Sequence, residues 1–194
     1  MDKSEIVYLN TPGGENTDMV LEAVTERVMR GDVKHVVIAS DSGKTGLKAL
    51  EMLRGSGASL VVVTEHCGSD KEGENTMVPN NEKKLLDAGV RIVRATHALS
   101  GVERSVNKKI GGSSRIEAIA ESLRSLFGQG MKVAVEITVM AADNGVIPCG
   151  PDAQVISIGG TEWGSDTAIV VRPAHSNGFF NLRVKEIIVI PKNR

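Results

Sequence analysis

Short β-branched runs alternate with amphipathic stretches along the chain, and the alternation begins close to the first residue. Residues 6–9 read as a strand, followed by the turn Thr11-Pro12-Gly13-Gly14. The spacing of Val20, Leu21, Val24, Val28 and Met29 then predicts a helix over 16–30 that Gly31 stops. Residues 35–40 are almost continuously apolar, as expected of a strand covered on both faces. A second helix has Leu47, Leu50 and Leu53 inward and ends at Gly55. The unit repeats with a strand over 60–64, a polar loop over 65–79, a helix carrying Leu85 and Leu86, and a strand over 90–94. Residues 95–114 read as a long loop before a helix over 115–127 whose inner face is Ile116, Ile119, Ala120 and Leu123.

The second half is less regular. Val133, Val135, Ile137 and Val139 alternate as in a strand, but the length of the 131–144 stretch and its closing Gly145 favour a buried helix, apolar nearly all round. Strands follow over 154–158, 168–172 and 182–190, and no linker or repeat divides residues 1–194, which read as a single domain. The βαβα order argues for an α/β fold with a mostly parallel sheet, helices on both faces and right-handed crossovers.

Charge removes several functional classes. Lys and Arg total 23 against 24 Asp and Glu, so no basic field exists for nucleic acid or an anionic membrane, and aromatics at 3% are too few for a base-stacking surface. The most apolar run, 133–142, is too short to span a bilayer and contains Glu136. Cys67 and Cys149 are far apart and read as free thiols, and residues 1–10 lack a signal-peptide core. A cytoplasmic protein with a small-molecule partner is expected, and a homo-oligomer is compatible with the composition.

In an open α/β sheet, ligands bind beyond the carboxyl ends of the strands. The second such loop reads Ser40-Asp41-Ser42-Gly43-Lys44-Thr45 directly before a helix. Hydroxyls, a glycine permitting close backbone approach, a lysine and the free N–H groups of a helix start together suit a phosphate monoester. It is no P-loop, because Ile38 stands where the first glycine of that pattern belongs. An ordinary capped helix start explains the same residues equally well. A second glycine-rich loop contains Gly159, Gly160, Thr161, Trp163 and Gly164, and reads either as a ligand grip or as a wide hairpin with Trp163 on the core edge. The turn Gly13-Gly14-Glu15-Asn16-Thr17 makes a weaker candidate. His66, His97 and His175 fall just beyond strand ends, where they could converge with Ser100 and Asp143. No pair of them has metal-ligand spacing, so zinc is not expected; they read as imidazoles lining a ligand pocket or, taken singly, as unconnected surface histidines. No G-x-S-x-G elbow and no dinucleotide G-x-G-x-x-G follows a strand.

Ser42-Gly43-Lys44-Thr45 resembles the S-G-x-[ST] phosphate turn of the pyruvate kinase C-terminal domain, and the order of helix, strand, glycine–tryptophan loop and last strand over 131–191 is similar too. The phrases His97-Ala-Leu-Ser-Gly-Val102, Met140-Ala-Ala-Asp-Asn-Gly145, Ile158-Gly-Gly-Thr-Glu-Trp-Gly-Ser-Asp-Thr-Ala168 and Pro173-Ala-His175 look like those of a stand-alone prokaryotic family of pyruvate kinase C-terminal-like proteins. That resemblance implies a three-layer α/β/α domain binding flavin mononucleotide (FMN), with no established reaction. The barrel that carries pyruvate kinase chemistry has no counterpart here. The expected site residues are Ser40, Ser42, Gly43, Lys44, Thr45, His66, His97, Ser100, Gly159, Gly160, Thr161, Trp163 and Gly164, with the 42–45 helix start suited to the phosphate and Trp163, His66 and His97 to the ring. Two other readings are a flavin-dependent oxidoreductase, with a histidine or Asp143 relaying protons, and a regulatory module for a sugar phosphate.

Overall fold

Period-two burial along the strands is what divides the molecule into layers. In the computed structural model, which describes residues 4–193, β2 (His35–Ala39) sends Val36 and Ile38 to one face and Val37 and Ala39 to the other. β3 (Ser59–Thr64) does the same with Leu60 and Val62 against Val61 and Val63. Both faces are apolar because both are covered. On one lie α1 (Thr17–Val28), α2 (Lys44–Met52) and α3 (Pro79–Asp87), and on the other α5 (Arg115–Phe127) and α6 (Gln129–Asp143). The result is a three-layer α/β/α sandwich. Positions 1–3 and 194 of the expected domain lie outside the described residues.

The sheet is completed by β1 (Val7–Leu9), β4 (Arg91–Arg94), β5 (Val155–Gly159), β6 (Thr167–Arg172) and β7 (Arg183–Pro191), in the order β1-β7-β6-β5-β2-β3-β4. β2 pairs in parallel with β3 and β5, β3 with β4, and β1 with β7. β6 alone runs against its neighbours β5 and β7. β2 sends its connection toward β3 while β5, on its other side, is reached from β4 across the opposite face. Adjacent parallel strands whose connections leave in opposite directions open a crevice at their carboxyl ends.

The ambiguous stretch is a helix, α6, and nearly all of it is buried. Ser157 and Gly159 explain how it sits so low on the sheet. Ser157 Oγ donates to the Ala134 carbonyl at 2.8 Å, and a Cβ on Gly159 would lie 2.2 Å from the Gly130 oxygen. A side chain at position 159 would therefore lift the helix off β5.

One expectation is corrected. Residues 95–114 are not a loop throughout, because Gly101–Ile110 form a helix, α4. None of its residues is buried, and Val102, Val106 and Ile110 point outward at 75%, 41% and 79% exposure. Glycines with positive φ bound it, Gly101 at one end and Gly111 and Gly112 at the other. The next helix, α5, starts with an N-cap, Ser114 Oγ accepting from the Glu117 N–H at 3.0 Å. A smaller departure concerns Met29, which continues the apolar spacing of its helix yet is exposed.

Candidate functional site

The crevice at the carboxyl ends of β2, β3 and β5 is a cavity of about 610 Å³, within the usual range for small-molecule sites. Its floor is apolar, formed by Ala39, Val63, Val133, Ile137 and Met140, and the start of α2 and the start of α6 stand on either side of it.

The turn into α2 is built from named contacts. Gly43 takes a left-handed φ of 84° as the helix N-cap, and Asn81 Nδ2 donates to the Ser42 carbonyl at 2.9 Å. A Cβ on Gly43 would lie 2.8 Å from that of Asn81, so this glycine faces α3 and answers a packing demand there. Ser40 Oγ accepts from the Gly46 N–H at 3.1 Å and so acts as a cap, while Ser42 Oγ reaches the Lys44 N–H only at 3.5 Å. Among the described residues, the Thr45 N–H and hydroxyl and the Lys44 ammonium have no intramolecular partner. Ser40, Ser42, Lys44 and Thr45 all line the cavity. Ser40 thus caps the helix, while Lys44 and Thr45 stay without such partners at the cavity.

Gly160, Trp163 and Gly164 of the β5–β6 loop line the same cavity, as does Glu162, whose φ is 61°. Trp163 lies across Gly14, where a Cβ would come within 2.2 Å of the ring, yet it remains 65% exposed. The loop's glycines serve close internal packing. A Cβ on Gly164 would meet Thr17 Oγ1 at 2.4 Å, and one on Gly160 would meet the Gly164 oxygen at 2.3 Å. Thr161 is turned into the loop's own bonding, its N–H donating to Asp166 Oδ2 at 3.1 Å.

The histidines do not converge as expected. His97 lines the cavity, with Nδ1 3.7 Å from Glu136 Oε2 and Nε2 4.0 Å from Glu65 Oε1. His66 and Ser100 line a neighbouring groove on the far side of His97, where Ser100 is the buried residue before α4. His175 sits elsewhere, 3.3 Å from Asp143 at the end of α6. β6 runs antiparallel, so the residues after it emerge at the opposite edge of the sheet from the cavity. Asp143 also accepts from the Ser176 N–H at 3.0 Å; burial opposes its ionisation, but this bond and His175 together leave its pKa below the ordinary range.

Sequence reasoning missed the charged wall. Lys132 and Glu136 form an ion pair on α6, at 3% exposure each, and Glu136 also accepts from the Leu99 N–H at 2.8 Å. Burial pushes the Lys132 ammonium below its ordinary range, and Arg124 and Arg104 push the same way while Glu136 opposes. The signal was two charges four residues apart within the 131–144 stretch, which is otherwise apolar nearly all round. Asp166 was missed as well. Wholly buried, it accepts from the Gly13 N–H at 3.0 Å, the Thr161 N–H and the Thr167 hydroxyl at 2.8 Å. It ties the β1 turn to the β5–β6 loop.

Among the described residues, no three His, Cys, Asp or Glu side chains are grouped to hold a metal ion, and no helix is long and apolar enough to cross a membrane. No protein-family model matches this chain.

Proposed function

We propose that the cavity binds a phosphorylated small molecule, FMN first among the candidates, and that binding rather than a particular reaction is the activity of this chain. The observation that carries the reading is the start of α2, with Lys44 and Thr45 unpartnered at the edge of the cavity. A phosphate there meets free N–H groups, the positive end of the helix dipole and an ammonium. The apolar floor and the exposed face of Trp163 suit a flat ring at the other end. The resemblance to the stand-alone pyruvate kinase C-terminal-like family favours FMN over a sugar phosphate, whose hydroxyls would find less in this floor. FMN would supply one- or two-electron redox chemistry where bound. His97, between Glu65 and Glu136, is placed to hold a proton beside it, which favours an oxidoreductase as the second reading.

The test is paired titration with FMN and riboflavin, read by quenching of Trp163. FMN should bind more tightly than riboflavin, and Lys44→Ala should weaken FMN roughly ten-fold through loss of a charge-assisted contact while leaving riboflavin unchanged. Equal binding of the two flavins by the wild-type protein would remove the phosphate site from the start of α2. Bleaching of the bound flavin by NAD(P)H, followed by reoxidation, would favour the enzymatic reading.

A further inference from the structure

Three helices bring cations to the wall of the cavity formed by the start of α6. Arg104 comes from α4, Arg124 from α5 and Lys132 from α6, and all three line the cavity. Their local counter-charge is small. Lys132 is paired with Glu136, and Arg124 Nε donates to the Gln129 amide oxygen at 2.6 Å, a neutral partner that fixes the guanidinium without neutralising it. Glu121 lies 3.5 Å from Arg124 and is 67% exposed, and Arg104 makes no side-chain ion pair or hydrogen bond among the described residues. Lys132 itself is almost fully buried, so it is held in this wall rather than attached to its surface. On this wall three cations meet two carboxylates, the paired Glu136 and the largely exposed Glu121, while Asp41, Glu65 and Glu162 line other parts of the cavity. The wall thus keeps one net positive charge, which favours an anion placed against it.

We infer that the cavity contains a second oxyanion subsite, made by Arg104, Arg124 and Lys132, which takes a carboxylate or phosphate group at the opposite wall from the start of α2. Paired guanidinium groups match the planar, bidentate geometry of such groups better than a single ammonium does. The subsite shares the cavity of the proposed FMN site but does not depend on which ligand occupies it. The anion is either a separate small co-ligand or a second acidic group on the same molecule. Arg104 rides on a helix that buries none of its residues and is bounded by Gly101 and Gly111, so its approach to the anion is adjustable.

The experiment is calorimetric titration at low ionic strength with inorganic phosphate and with succinate, on the ligand-free protein and on protein saturated with FMN. The variants are Arg104→Gln, Arg124→Gln and their combination, checked for folding by circular dichroism. Lys109→Ala, on the exposed side of α4, controls for net charge. If the anion is a separate co-ligand, FMN-saturated protein still binds phosphate or succinate, and each arginine variant weakens that binding at least ten-fold while Lys109→Ala does not. If the second group belongs to the main ligand, that ligand carries two acidic groups and is not FMN; ligand-free protein then takes two equivalents of phosphate, or one of a diacid that spans both walls, and the double variant loses one phosphate. The inference is overturned if the folded double variant matches wild type in every anion titration. Should FMN itself fail to bind, the phosphate stoichiometry of the ligand-free protein still decides the matter.

Discussion

Asp41 is the residue that would limit the proposed binding of an anion at the start of α2. It lines the cavity beside Ser42 and Lys44, and its own carbonyl accepts from the Thr64 hydroxyl at 3.1 Å, which holds the turn against β3. Burial raises its carboxyl pKa, Glu65 raises it further, and His97 partly opposes the shift. Above that raised pKa the carboxylate repels a phosphate. Asp41→Asn should therefore tighten FMN binding roughly three- to ten-fold at pH 8, about one kcal/mol of relieved repulsion across a partly wet site. As pH falls through the raised pKa toward the ordinary carboxyl range, wild-type Asp41 becomes neutral and the gap should close. Titrations of both proteins across pH 4–8 check this, since protonation of the phosphate affects both alike. A gap that persists undiminished to pH 4 would assign the effect to shape rather than charge. Residue type alone marked this turn as a candidate place for phosphate. It did not separate Ser40, a cap, from Lys44 and Thr45, because capping and anion binding draw on the same hydroxyls and N–H groups.

At the scale of elements, α6 and α4 show opposite failures of periodicity. α6 was legible as a helix only through its length, because burial on nearly all sides erased the amphipathic stripe. Glu136 was read as an objection to a membrane span, whereas with Lys132 it forms part of the cavity wall. α4 does carry an apolar residue every fourth position, Val102, Val106 and Ile110, but that stripe faces outward and no packing accompanies it. The buried pair on α6 yields a stability prediction. Glu136→Ala strands the Lys132 charge beside two arginines and should cost about 3–5 kcal/mol, whereas Lys132→Met combined with Glu136→Met should cost far less, because no uncompensated charge remains. Urea denaturation of the two variants and wild type measures the difference. Equal losses would mean that the pair contributes through shape alone.

At the scale of the whole molecule, the cavity exists because distant segments are fastened together, and Asp166 is the fastening. The parallel sheet with helices on both faces followed from the βαβα pattern, and with it the edge at which a ligand would sit. The reversal of β6 did not, because a strand's direction is set by its partners rather than by its own sequence, and this moved His175 to the far edge. The same reversal makes residues 160–166 a hairpin loop folding back over the cavity, against the turn at Gly13 and Gly14. Asp166 accepts three hydrogen bonds there, two from backbone N–H groups 148 residues apart in position. Asp166→Ala leaves both N–H groups and the Thr167 hydroxyl without their acceptor in a buried place, and should destabilise the fold by about 3 kcal/mol. Asp166→Asn keeps the size and one acceptor oxygen and should lose less. The effect on ligand binding separates fastening from general stability. With Trp163 carried on the loop that Asp166 ties down, Asp166→Ala should weaken FMN under conditions where the variant is fully folded, and hydrogen exchange at residues 160–165 should quicken more than in the sheet. Exchange that quickens uniformly, with affinity unchanged, would show that the loop keeps its place over the cavity without Asp166 and that packing of Trp163 on Gly14 is enough to hold it there.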